Sequence, residues 1–176
     1  KQTLGESAGT QSFDSIMQAD VILVIGANPT EAHPVVGARI KQAVLAGAKL
    51  VVIDPRATEL TEYADVHLAL RPGTNIPLLN ALAHVIITEG LFDEAFIRER
   101  CDWSEFQDWA AFVSDARHSP EHLEALTGVP AADLAHVAAL AKERKISVET
   151  AAREARHAFL LRMAEKHDTW VVLLAH

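Results

Sequence analysis

The sequence predicts an α/β fold: a parallel sheet built from a βαβ unit plus a third strand, followed by a helical segment. Three observations carry this. Two runs, Val21-Ile22-Leu23-Val24-Ile25 and Leu50-Val51-Val52-Ile53, are continuously apolar without alternation, the pattern of strands buried on both faces. Between them Val36, Ile40 and Val44 recur at four-residue spacing, one helical stripe. From Ile76 onward the apolar spacing is helical throughout.

Each element has local support. The first strand stops at the turn-forming string Gly26-Ala27-Asn28-Pro29. Pro34 suits the start of the next helix, where its missing N–H is not needed. Gly47 is placed to end that helix in the left-handed conformation. The second strand closes at Asp54-Pro55-Arg56, and the βαβ crossover is expected to be right-handed. Residues 66–70 predict a shorter third strand, closed by Arg71-Pro72-Gly73-Thr74-Asn75, which makes the arrangement Rossmann-like. Ile76, Leu79, Leu82, Ala83, Ile86 and Ile87 form a broad helical face that Gly90 ends. Residues 92–100, 104–114 and 120–126 read as short helices. Residues 130–142 read as another, with Leu134, Val137, Ala138 and Ala141 on one face. A longer helix is expected over 147–166 and a final strand over 169–174.

Composition excludes several classes. The chain has 176 residues, about one domain, with 49% hydrophobic and 23% charged residues. General disorder, collagen and low-complexity scaffolds do not fit. No apolar run approaches the ~18 residues of a membrane-spanning helix. A net charge of −8 argues against sequence-independent nucleic-acid binding, which needs clustered Lys and Arg. The single cysteine, Cys101, cannot make an internal disulfide or a Cys-rich zinc or iron–sulfur site, and beside Asp102-Trp103 it reads as structural. His118 and His122 have i, i+4 spacing, but Pro120 between them argues against a shared zinc site. Trp103, Phe106, Trp109 and Phe112 recur at helical spacing and read as core packing. No basic segment followed by an apolar one opens the chain, so a cytoplasmic location is expected. The chain begins at Lys1 rather than Met and reads as a fragment.

The three strand ends carry the chemistry. In an open parallel sheet ligands bind beyond the carboxyl ends of the strands. Each of the three closing strings is polar or turn-forming, and helix N-termini, which favour anions, follow the first and third. Any one of them alone is an ordinary loop; three at one sheet edge point to a ligand site. Asp54, at a loop edge, can accept hydrogen bonds from a ribose or from the N–H edge of a guanine. The reading is a nucleotide-binding α/β domain. The first turn has only Gly26 of a Gly-x-Gly-x-x-Gly fingerprint, and no phosphate-loop Gly-Lys-Ser/Thr motif exists. A standard nicotinamide site and P-loop hydrolysis are therefore not expected.

Val24-Ile25-Gly26-Ala27-Asn28-Pro29 with His33-Pro34, then Val52-Ile53-Asp54-Pro55-Arg56, then Leu70-Arg71-Pro72-Gly73-Thr74-Asn75 with Leu78-Leu79-Asn80-Ala81, resemble the molybdopterin oxidoreductases of the dimethyl sulfoxide reductase family. The wording is most similar to formate dehydrogenase alpha subunits. Residues 83–91, 94–97 and 121–134 continue the resemblance, which spans about residues 1–141. It implies a domain fragment over 1–141 that binds one arm of a bis(molybdopterin guanine dinucleotide) molybdenum cofactor, with 142–176 a helical tail of unknown role. It further implies that Gly26 and Asn28 touch the dinucleotide backbone, with Glu31 and Ala32 near the nucleotide. Asp54 would recognise ribose or guanine with Ile53 and Arg56 beside it, and Leu70, Gly73 and Asn75 would close the pocket. His33 either caps a helix or contacts the ligand. No catalytic residue and no metal ligand is assigned to this chain. The parent reaction would be formate to carbon dioxide plus two electrons. Its iron–sulfur cluster, the rest of the alpha subunit and electron-transfer subunits would lie outside this chain, so the isolated chain is expected to be inactive. Alternatives are another α/β nucleotide-binding module, such as the middle domain of thiamine diphosphate enzymes or a flavin-binding domain, or a non-catalytic interaction fragment.

Overall fold

A computed structural model describes residues 13–143 and 174–175. Among these residues four strands form one sheet: β1 (Val21–Ile25), β2 (Lys49–Ile53), β3 (Val66–Leu68) and β4 (Leu174–Ala175). The order is β3-β2-β1-β4. β1 with β2 and β2 with β3 are parallel, whereas β4 runs antiparallel to β1. The expected βαβ unit with a third strand is therefore present. The chain between β1 and β2 forms a single helical turn, α1 (Pro29–Ala32), and then α2 (Pro34–Leu45). A 3-10 turn, Glu59–Glu62, joins β2 to β3. The helical segment follows as α3 (Asn75–Thr88), α4 (Glu94–Arg100), α5 (Trp103–Ser114), α6 (Pro120–Thr127) and α7 (Ala131–Glu143). The helix expected over 147–166 lies outside the described residues, as does the strand expected over 169–174 except for its last residue.

The sheet divides the core in two. Along β2, Leu50 and Val52 face one side and Val51 and Ile53 the other, and all four are fully buried. The first side packs on Val36, Ile40 and Ala43 of α2 together with Ile16 and Leu60. The second packs on Leu78, Leu79 and Ala81 of α3 and on Leu134, Val137 and Leu140 of α7. Both faces of β2 are covered, which is why its sequence shows no alternation. Short helices with weak apolar periodicity are fixed by their caps: Asp93 accepts from Phe96 N at 3.0 Å, Asp102 from Glu105 N at 3.0 Å and Ser119 from His122 N at 3.2 Å.

Three expectations are corrected. The third strand ends at Leu68 rather than at residue 70, because the Leu70 amide turns back to Leu68 O at 3.0 Å and the Arg71 amide goes to Thr127 O at 2.7 Å. The buried face of α3 is Leu78, Leu79, Ala81, Ala83 and Val85, and Ile76 at its start is 44% exposed. The helix packs on α5, α6 and α7 as well as on the sheet-side core, so more than one stripe is covered. The aromatic series of α5 is not deep core: Trp103, Phe106 and Trp109 are half-buried and stack on one another with centroids 5.3 and 6.0 Å apart.

One ion pair ties the start of β2 to the start of β3. Asp65 accepts from Lys49 Nζ at 2.6 Å and from Leu50 N at 2.9 Å. Partial burial works against the charged carboxylate, but these two bonds outweigh it and hold the Asp65 carboxyl below its ordinary value.

Candidate functional site

The register sets Ile25, Ile53 and Leu68 side by side across the sheet. The loops that leave these three residues therefore emerge at the same carboxyl edge. From β1 comes Gly26, whose amide donates to Ile53 O at 2.9 Å. Its φ of +56° is one that side-chain-bearing residues rarely adopt, and no atom stands within 4 Å of where a Cβ would be. The backbone there is open to close approach. Asn28 comes next, half-buried, accepting from Thr30 Oγ1 at 2.6 Å through Oδ1. Its carbonyl starts α1 by accepting from Glu31 N and Ala32 N. Gly37 of α2 lets α1 pack tightly: a Cβ there would stand 3.0 Å from Thr30 Cα.

From β2 comes Asp54, which is only 3% exposed. It lies at the loop edge as expected, but buried rather than outside the core. Oδ1 accepts from Arg56 N at 2.8 Å and from Arg56 Nε at 3.4 Å, and neither bond uses Oδ2. The Arg56 side chain is 75% exposed. His67 of β3 holds the Asp54 carbonyl, Nε2 to O at 2.9 Å. Because a carbonyl only accepts, this bond puts the proton on Nε2. Further along the same segment, the hydroxyl of buried Thr58 has no hydrogen-bond partner.

From β3 comes the third loop. Thr74 is buried and donates through Oγ1 to Arg71 O at 2.6 Å. Gly73 has φ +84° with no atom within 4 Å of a Cβ position, a second open stretch of backbone. Asn75 is half-buried at the first position of the fourteen-residue α3.

Gly26, Asn28, Asp54, Arg56, Gly73 and Asn75 are thus gathered at one edge. Ile53 and Leu70 are not side chains of that edge: they are 0% and 2% exposed, in the core beneath α3 and α7. Ile53 points inward as the last residue of a strand whose side chains alternate between two buried faces, and Leu70 stays in the same core just past the end of β3. Glu31, Ala32 and His33 are exposed on and just after α1. His33 makes no side-chain cap on α2, and only its carbonyl, accepting from Gly37 N, serves the helix start. Sequence reasoning missed His67 as part of this edge. It stands within the expected third strand, but its role depends on Asp54, a partner thirteen residues away in sequence. Arg71 enters the sequence reading only as part of the third closing string, and its contact with Thr127 is supplied by the tertiary fold. Among the described residues no group of three or more His, Cys, Asp and Glu side chains is arranged to hold a metal.

A family model described as Molybdopterin oxidoreductase matches residues 2–166, beyond the 1–141 of the motif resemblance. Formate dehydrogenase H of Escherichia coli is 38% identical over 144 residues, covering 82% of this chain and 20% of that protein. The F420-dependent formate dehydrogenase 1 subunit alpha of Methanococcus maripaludis is 41% identical over 128 residues, covering 73% of this chain and 18% of that subunit. Among solved structures, acetylene hydratase from Pelobacter acetylenicus superposes with a TM-score of 0.61 at 32% identity, over 68% of this chain and 16% of that one. The chain spans about a fifth of the length of the curated relatives it matches.

Proposed function

Because the chain belongs to the molybdopterin oxidoreductase family, we propose that it grips one guanine dinucleotide arm of a bis(molybdopterin guanine dinucleotide) molybdenum cofactor within a formate dehydrogenase catalytic subunit. The observation that carries this is the carboxyl edge. Two positive-φ glycines, Gly26 and Gly73, leave backbone open on the first and third loops, and Asp54 lies on the loop between them. A long dinucleotide needs this combination of open backbone and spaced polar side chains. The residues fit the group: a Cβ at either glycine would fill the open space, and Oδ2 of Asp54 takes no bond from Arg56.

When bound, the cofactor supplies the two-electron redox chemistry, formate to carbon dioxide in the parent enzyme. The chain's own residues bind and orient. Backbone at Gly26 and Gly73 lies against the dinucleotide, with Asn28 and Asn75 offering amide groups on either side. Asp54, held by Arg56 and His67, accepts from ribose hydroxyls or the guanine N–H edge. Arg56 is exposed enough to reach a phosphate. Glu31, Ala32 and His33 line the outer rim, and Ile53 and Leu70 support the loops from the core.

Formate as substrate is supported by the relatives named formate dehydrogenase; the hydratase among the neighbours shows that family membership alone does not choose the reaction. In the same reading residues 1–141 are the cofactor-binding unit and 142–176 an appended segment. The iron–sulfur cluster and electron-transfer subunits belong to the rest of the enzyme, in the cytoplasm. No helix among the described residues is long and apolar enough to cross a membrane. Family membership leaves the thiamine diphosphate and flavin alternatives without support.

Calorimetric titration of the 176-residue chain with guanosine diphosphate and adenosine diphosphate tests the reading. Preferential binding of the guanine nucleotide is expected. Equal affinity for the two, or none for either, overturns it.

A further inference from the structure

We propose that Arg71 is a positioning residue for the third binding loop, held in place by the Thr127-Gly128 turn at the end of α6. The proposal rests on the cofactor-arm reading above. Arg71 is where the third loop meets the helical segment. Its N–H donates to Thr127 O at 2.7 Å, and its Nη1 donates to Ala125 O at 2.5 Å across 54 residues of sequence. Its own carbonyl accepts twice from Thr74, from N at 3.2 Å and from Oγ1 at 2.6 Å. Its donors thus face α6, and its acceptor folds the loop that carries Gly73.

The α6 side of this contact is buried and hydrogen-bonded. Thr127 is fully buried, donates through Oγ1 to Leu123 O at 3.0 Å and accepts from Val129 N at 3.2 Å. Leu70 and Val129, which flank the contact, belong to the same core. Gly128 has φ +77°, and a Cβ there would stand 3.2 Å from Arg71 Cγ and 3.3 Å from Nε. A methyl group at 128 therefore presses on the Arg71 side chain, which must shift by a few tenths of an ångström, on a backbone whose positive φ already strains any side chain there. Gly73 supplies open backbone but no stiffness of its own, so the loop needs an outside support to be ordered before it binds. Arg71 provides that support, and nucleotide affinity depends on residues that never touch the ligand.

The test is titration of guanosine diphosphate into the full chain as the parent, Arg71→Ala, Arg71→Lys, Gly128→Ala and the double variant Arg71→Ala/Gly128→Ala. Melting temperature is followed for each. Arg71→Ala and Gly128→Ala are each expected to weaken binding about fivefold or more. Arg71→Lys keeps one donor for the Ala125 carbonyl and recovers part of the loss. The double variant binds no more weakly than Arg71→Ala, since no guanidinium remains to be displaced. Affinities of the single variants within about twofold of the parent overturn the Arg71 proposal and leave the cofactor-arm reading standing. Additive losses in the double variant overturn the coupling through Gly128. A parent chain that does not bind the nucleotide overturns both. If Gly128→Ala does not fold, the contrast between Arg71→Ala and Arg71→Lys decides: equal losses in the two overturn the positioning role.

Discussion

His67 Nε2 donates to the carbonyl oxygen of Asp54 at 2.9 Å. The third strand thus holds the end of the second at the point where its polar loop begins. With Arg56 N on Oδ1, both the main chain and the side chain of Asp54 are fixed. A carboxylate held in this way needs little reordering to receive a ligand.

That arrangement separates two roles of Asp54. Asn in its place keeps an oxygen to accept from Arg56 N but replaces the other acceptor with a donor. Asp54→Asn should fold with a nearly unchanged melting temperature and lose about tenfold in affinity for guanosine diphosphate, the ~1.5 kcal/mol of a charge-assisted bond. Asp54→Ala should lose both, because its buried position leaves the Arg56 amide without its partner. Normal affinity in Asp54→Asn reduces the residue to a turn cap.

Acid stability should depend on Asp65. Its carboxyl titrates lower in the folded chain than its ordinary value of 3.8. The stabilisation is therefore complete above that value and is lost as the pH falls through the lowered folded one. Asp65→Asn should lower the urea midpoint at pH 7 and show a flatter decline than the parent between about pH 5 and pH 2. Parallel declines in the two proteins count against the ion pair with Lys49 as the cause.

Gly37→Ala tests the seam between α1 and α2. The added methyl meets backbone at Thr30, which yields only if α1 moves. A destabilisation of about 1–3 kcal/mol by denaturant titration is expected, with weaker nucleotide binding because Asn28 moves with α1. An unchanged midpoint means that the seam is looser than its geometry.

The chain alone should not reduce a redox dye in the presence of formate, even when loaded with cofactor. It has one cysteine, Cys101, which stands at the end of α4, far in sequence from the three loops. Formate-dependent dye reduction by the pure chain contradicts a division of labour in which this chain only binds and orients.

Much of this was legible because its signals are local. β1, β2 and α2 announce themselves by apolar runs and a four-residue stripe, and the open backbone at Gly26 and Gly73 follows from turn-forming residues beside it. The end of β3 was not legible, because the Arg71 amide is claimed by Thr127, a partner that only the tertiary fold supplies. The inward turn of Ile53, beside a polar loop, was hidden for a related reason. A one-residue step reverses a side chain's direction, and the letters of a motif do not carry that reversal. His67 reads as an ordinary strand residue until its ring is seen to end on a carbonyl.

The two halves of the core differ in how much chain each must gather. The half beneath α2 draws its buried members from Ile16 to Leu60, so it closes within one short stretch. The half beneath α3 recruits from Ile25 as far as Leu140. Local closure is fast, and closure over long separations is slow. The β1–α2–β2 unit is therefore expected to act as the nucleus on which the later helices settle. Pulsed hydrogen exchange during refolding should protect amides of β1 and β2 before those of α3 and α6. The first and second loops would then take shape early, while the third waits for the arrival of Thr127.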